Sequence, residues 1–233
     1  MLIDMHAHSS AVSRCCRIDI YGALEQAKKH GMDGIVLTNH YAKKDKGMST
    51  PLEQAERYVR EIDNATRCAA QLGMRVFHGI EVTSEPLNKA HMLIYGVPRE
   101  FITEHREIYD YPQAKLYEAV HAAGGILVHA HPYRSGGVLS DVKLLDGVEI
   151  NCHPLYDTTY SEEMLRIAHQ NGLLVTCGGD FHNDTPRVKC GIYLPDEITD
   201  SIALKNYLLN TDTIELCITE IGESTPHVVR FVK

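Results

Sequence analysis

The chain of 233 residues has no tryptophan and only four phenylalanines. It has no Cys-x-x-Cys pair among its seven scattered cysteines, which excludes a thiolate zinc knot and argues for reduced thiols over a disulfide frame. It has no apolar run near the roughly 18–20 residues of a membrane span. It is short of positive charge: 23 basic against 31 acidic residues give a net charge of −8, which argues against nucleic-acid wrapping and against a polybasic membrane surface. The opening Met1-Leu2-Ile3-Asp4-Met5-His6 lacks a basic start and its apolar run stops at Asp4, so it does not read as a signal peptide. The expected location is cytoplasmic, with no membrane partner. Oligomeric state is not readable. The abundant residue is histidine, with fourteen copies.

Short Ile/Val/Leu-rich runs alternate with helical patterns, and no composition shift marks a second domain, so residues 1–233 read as one domain. Strands are expected at Leu2–Met5, Gly34–Thr38, Arg75–Val82, His91–Val97, Ile126–Ala130, Gly147–Ile150 and Leu173–Cys177. Helices are expected at Ile20–His30, Pro51–Leu72 (capped by Thr50), Pro112–Ala123, Ser161–Asn171 (with Ser161 as cap) and Ser201–Asn210. The alternation implies an α/β fold, either a short TIM-like barrel or an open doubly wound sheet. The polar stretch Tyr41–Pro51, with Lys43, Lys44 and Lys46, reads as a surface loop that could also serve as a lid.

Placed on this map, His6 and His8 follow the first strand and His40 the second; Glu81 lies late in the third. His129 and His131 close the fifth, and Asp180 and His182 follow the seventh. In a parallel barrel these ends share one face. Three pairs, His6/His8, His129/His131 and Asp180/His182, are spaced by two, and such residues project the same way on an extended chain. Imidazoles and carboxylates in this pattern suit zinc, manganese or iron. His91 opens its strand, so it reaches the same face only if that strand runs antiparallel. His78, three residues from Glu81, points away from it.

Asp4-Met5-His6-Ala7-His8, Thr38-Asn39-His40, Gly79-Ile80-Glu81, His91-Met92-Leu93, Ala130-His131-Pro132, Gly147-Val148-Glu149-Ile150-Asn151 and Gly179-Asp180-Phe181-His182 occur in the order of the polymerase and histidinol phosphatase (PHP) family of metal-dependent phosphoesterases. The resemblance covers residues 1 to about 195. It implies a distorted seven-stranded β/α barrel and two or three divalent metal ions. By that resemblance His6, His8, Glu81 and Asp180 hold one ion, and Glu81, His91 and His131 a second, with Glu81 bridging. His40 and His182 belong to a third position. The sequence departs from the family where an acidic or imidazole ligand normally follows His8: Ser13 and Arg14 stand there. Arginine cannot ligate a cation. The third position is thus expected to be weak, vacant or completed by Cys15 or Cys16, whose first reading is as ordinary helical or core thiols. Asn39, where aspartate is frequent, is a milder departure.

The resemblance implies a histidinol phosphatase-like hydrolase acting on a small phosphorylated substrate, a phosphate monoester, through a metal-activated hydroxide. By the same resemblance Glu81 is expected to be the catalytic bridging carboxylate. Arg134 and, less directly, Arg187 are candidates to grip a phosphate oxygen, and Arg14 could place a fixed cation where a third metal would sit. His129, His40 and His182 are candidates to protonate the leaving oxygen, His129 alternatively orienting a ligand. The competing readings are an amidohydrolase-type or deoxyribonuclease-type metal hydrolase, and a non-catalytic metal-binding module.

Overall fold

The computed structural model describes residues 1–43, 50–156, 160–183 and 185–233. Its strands are β1 (Leu2–Ala7), β2 (Gly34–Leu37), β3 (His40–Tyr41), β4 (Arg75–Ser84), β5 (Ala90–Tyr95), β6 (Ile126–His129), β7 (Gly147–Asn151), β8 (Leu174–Gly178), β9 (Gly191–Tyr193), β10 (Thr213–Ile218) and β11 (His227–Val232). The helices are α1 (Ile20–Lys29), α2 (Pro51–Leu72), α3 (Phe101–Glu104), α4 (Gln113–Ala122), α5 (Ser161–Asn171) and α6 (Ser201–Asn210).

All seven expected strands form, but the sheet is larger than a seven-stranded barrel. Among the described residues one mixed sheet runs β11-β10-β9-β1-β2-β4-β5-β6-β7-β8, ten strands, with β3 paired to β4. It nearly closes on itself: just past β8, the Asp180 N–H donates to the His6 carbonyl at 2.8 Å and Phe181 bridges Ala7. β1, β2, β7 and β8 are buried at every residue, as strands covered on both faces must be; β2 and β8 are accordingly almost wholly apolar, while β1 and β7 carry Asp4, His6, Glu149 and Asn151 into that burial. β5 is antiparallel to both β4 and β6. That reversal brings His91, at the start of β5, opposite Thr83 at the end of β4.

The helix ends follow local chemistry. Thr50 Oγ1 accepts the Glu53 N–H ahead of Pro51, and Gly73 closes α2 at φ 63°, where a side chain would strain the backbone. α5 departs from expectation: its cap is Tyr160, in a left-handed conformation, while the Ser161 hydroxyl is drawn off to donate to Glu220. α1 and α2 pack Leu24, Ala27, Ala65 and Ala69 over Ile35 and Leu37 of β2. The lid expected from Tyr41–Pro51 involves Lys44 and Lys46, which lie outside the described residues. Lys43 pairs with Asp110 at 2.8 Å. No helix among the described residues is long and apolar enough to cross a membrane.

Candidate metal centre

The strand ends converge on Glu81, which is fully buried. Its two carboxylate oxygens face different imidazoles. Oε1 lies 2.8 Å from His91 Nδ1 and 3.2 Å from His131 Nε2. Oε2 lies 3.3 Å from Nε2 of both His6 and His8, and 2.6 Å from His40 Nδ1. Asp180 Oδ1 closes the second group, 3.3 Å from His6 Nε2 and 2.9 Å from His8 Nε2. Four sets of side chains therefore bring ligand atoms within metal-binding reach of one another: His6/His8/Glu81/Asp180, His40/Glu81/His91, His6/His131/Glu149 and His8/His40/His182.

The residues fit a cation on an observation of their own. His6 Nε2, His40 Nδ1 and Glu81 Oε2 are buried and lack a hydrogen-bond partner. Orphaned buried polar atoms are costly, and three pointing at one place need an explanation. The far sides of the rings are already used. His6 Nδ1 is 2.7 Å from Glu149 Oε1, and His8 Nδ1 is 3.0 Å from Ser13 Oγ. Their Nε2 atoms are thus directed at the two carboxylates, the arrangement in which a second carboxylate or hydroxyl orients a ligating imidazole.

The electrostatics agree. Burial would pull the His6 pKa down, but Glu149, Asp180 and Glu81 overcome it and hold it well above the ordinary value. His40 is likewise raised against burial to about 10, chiefly by Glu81. Burial opposes ionisation of Glu81 and Asp180 too, yet the His40 and His6 charges hold Glu81, and His6 and Arg134 hold Asp180, well below the ordinary carboxylate range. The centre demands positive charge; protons meet that demand in the metal-free chain. His8 and His131 are neutral by contrast: burial with the neighbouring His182 and His40 lowers His8, and burial lowers His131 to about 3.

Two of these candidate ligand positions carry backbone strain. His131 has φ 31° and Asp180 φ 50°, left-handed values that cost residues with side chains roughly 1–3 kcal/mol and that cluster at functional sites. The turn at His131 also breaks the expected pairing with His129. β6 ends at His129, whose Nδ1 accepts the Ser140 N–H at 3.2 Å, and the ring joins none of the four ligand sets. Burial and then His91 lower its pKa to about 4, so it is neutral near pH 7.

A supporting ring of polar groups was not legible as a unit. Ser13 Oγ donates to Asn39 Oδ1 (2.8 Å) and accepts the His40 N–H (2.9 Å), besides meeting His8. The two departures from the family pattern, Ser13 and Asn39, are therefore hydrogen-bonded to each other. Asp4 Oδ1 accepts the His6 and Gly179 N–H groups, and its other oxygen pairs with Arg187. Arg187 is consequently a buried structural cation and not a phosphate grip. Glu149 accepts from the His131 N–H at 3.0 Å as well as facing His6.

Arg134 donates to Asp180 and, at 2.8 Å, to Asn151 Oδ1, with its guanidinium stacked on Tyr156. It lines a cavity of about 510 Å³ together with His91, His129, His131 and Lys89. A second cavity, of about 250 Å³, is bordered by Arg14, Cys15, His40 and His91. Arg14 is thus at the rim of the centre, its side chain exposed.

No protein-family model and no curated protein sequence matches the chain. Solved structures do. A protein of Bifidobacterium adolescentis provisionally named a metal-dependent phosphoesterase shares 21% identity at a TM-score of 0.58, over 89% of this chain and 95% of that one. A two-domain protein of Bacteroides vulgatus, provisionally assigned a PHP-like metal-dependent phosphoesterase domain, shares 14% at a TM-score of 0.58 over 97% of this chain, which spans 60% of that one. An amidohydrolase of Chromobacterium violaceum, solved with sulfate and no metal, shares 15% at a TM-score of 0.58 over 84% of this chain and 93% of that one. At these identities the likeness is one of fold, and in fold the chain resembles the PHP-like phosphoesterases to which its motifs point.

Proposed function

We propose that the chain is a metal-dependent phosphoesterase of PHP type that hydrolyses a small phosphate monoester. The observation that carries this reading is the Glu81 carboxylate, with one oxygen toward His91 and His131 and the other toward His6, His8 and the Asp180 side. One carboxylate shared between two imidazole groups is the donor set for a pair of divalent ions, with zinc, manganese or iron suited to its nitrogen and oxygen atoms. Such ions supply Lewis acidity toward phosphoryl oxygens and a water of low pKa. His6, His8, Glu81 and Asp180 hold the first position; Glu81, His91 and His131 the second; His40 and His182 serve a third. Glu149 and Ser13 orient His6 and His8. We read β1, β2, β4, β5, β6, β7 and β8 as the seven-stranded barrel of the family, within a single domain of residues 1–233.

The substrate phosphate enters the cavity beside His91 and His131, where Arg134 and Lys89 supply positive charge. Arg14 adds a cation at the rim. His129 is neutral and offers Nε2–H as a hydrogen-bond donor; with His40 and His182 committed to the third position, the leaving oxygen takes its proton from water. The test is hydrolysis of p-nitrophenyl phosphate by protein of known metal content, beside a p-nitroanilide for the amidohydrolase reading. Metal-dependent release from the ester supports the proposal. Release from the anilide alone, or metal binding without turnover of a panel of phosphate monoesters, refutes it.

A further inference from the structure

Helix α2 buries a carboxylate, Glu61, on its inner face. Its two hydrogen-bond partners among the described residues are neutral: the Ser9 hydroxyl donates to Oε1 at 2.6 Å and Asn64 Nδ2 donates to Oε2 at 3.2 Å. A carboxylate buried among neutral partners is costly unless opposite charge is within reach. Ser9 leads toward such charge. Its Oγ accepts from Asn39 Nδ2 at 3.0 Å; Asn39 Oδ1 accepts the Ser13 hydroxyl, and Ser13 Oγ meets His8 Nδ1. Two backbone donors fix the sense of this chain. The Ser9 N–H donates to Asn39 Oδ1 at 2.8 Å, which sets the amide with Nδ2 toward Ser9 Oγ. The His40 N–H fills one lone pair of Ser13 Oγ, and Asn39 takes the hydroxyl proton, so only a lone pair is left for His8. His8 Nδ1 therefore carries the proton and donates it, and Nε2 is the free ligand atom.

We infer that Glu61 is a positioning residue for His8, the anchor of a one-way hydrogen-bond chain through Ser9, Asn39 and Ser13 that holds His8 with Nε2 free toward the cation. The inference rests on the metal-dependent reading of the Glu81 centre and deepens it. Every link donates in the direction of Glu61, and an ionised carboxylate, which only accepts, is the fitting end of such a chain. Its charge polarises each bond in the same sense. The Nδ1 proton of His8 is drawn toward Ser13, and Nε2 becomes a stronger donor to a cation. Glu61 touches neither the ions nor the substrate, so it acts only through its neighbours.

A double-mutant cycle on metal affinity tests this without reference to turnover, by isothermal titration of zinc into the metal-stripped full chain. Glu61→Gln keeps an oxygen for Ser9 and removes the charge. It should weaken one zinc equivalent about 10-fold, the lower end of the roughly 10–100-fold that outer partners of a ligand are worth. Ser9→Ala, which cuts the chain and leaves the carboxylate in place, should do the same. In a Ser13→Ala background, where the chain is already cut beside His8, either change should cost less than about 2-fold more, because residues of one network do not add. Thr66→Ala, on the same helix with its hydroxyl bonded to the Ile62 carbonyl, should leave affinity unaltered. Circular dichroism checks each fold, and if one of the two chain variants fails to fold the other completes the cycle. Wild-type affinity in the folded chain variants, or a loss that persists in full beside Ser13→Ala, overturns the inference and leaves the Glu81 centre standing. A wild-type chain that binds no zinc overturns both.

Discussion

Replacing Glu81 with glutamine keeps the shape of the side chain and removes the charge the centre is built around. Four imidazole nitrogens, of His6, His8, His91 and His131, lie 2.8–3.3 Å from its two oxygens. A unit charge about 4 Å from another is worth roughly 4 kcal/mol at an effective dielectric of about 20, or about three powers of ten in affinity. A glutamine carbonyl recovers part of this, while its NH2 turns a donor toward the nitrogens on one side. Each of two ions should therefore bind about 100- to 1,000-fold more weakly, and hydrolysis should fall at least as far. Equilibrium dialysis with elemental analysis reads the affinity, p-nitrophenyl phosphate the turnover, and circular dichroism the fold. A folded Glu81→Gln protein that binds two ions at wild-type affinity would refute the bridging role.

Further outcomes concern pH, packing and the supporting ring. In metal-stripped protein, unfolded histidine takes up a proton near pH 6.5, whereas folded His129 and His131 do so only at about 4 and 3. The unfolded state then binds more protons, so their contribution makes stability rise with pH between about 3 and 6.5. His40 has the opposite sign: its stabilisation is complete below 6.5 and is lost as pH climbs toward about 10. Thermal melts should peak near pH 6–7, and a flat profile from pH 4 to 9 would contradict these assignments. Gly178→Ala places a methyl group against the His6 Cβ and 3.1 Å from Glu149 Oε1, and should lower stability by about 1–3 kcal/mol and Tm by roughly 2–12 °C. An unshifted melt would show that β1 and β8 separate more easily than the fold implies. Ser13→Ala frees the His8 ring and should weaken metal binding about 10- to 100-fold by isothermal titration; unchanged affinity would remove Ser13 from the supporting ring. Arg134→Ala should raise KM for a phosphate monoester by about 10–100-fold, and an unaltered KM would mean that its contacts to Asp180 and Asn151 are its whole role.

The parts of the molecule that could be read in advance are those where one physical rule dominates. Short runs rich in Ile, Val and Leu marked all seven of these strands despite the polar Asp4, His78 and Glu149 within them, and the awkward position of His91 already required the reversal found in β5. β3 has two residues and β9 three, too short for any periodicity to register. β11 leaves Val228 and Val232 more than half exposed, so it carries no burial pattern. The clustering of the candidate ligands was visible because strand ends share a face. The pairing of His129 with His131 failed because it assumes an extended chain, and nothing in the residue type announces a left-handed histidine. Ser13 was noticed only as a missing ligand, since its three hydrogen bonds reach residues 5, 26 and 27 positions away.

The central claim is that Glu81 joins two ions. Anomalous X-ray diffraction at the absorption edge of the reconstituted metal tests it directly. Two peaks are expected, one toward His6, His8 and Asp180 and the other toward His91 and His131, each within bonding distance of a Glu81 oxygen. Crystals of the reconstituted protein with no anomalous peak beside Glu81 would contradict the account.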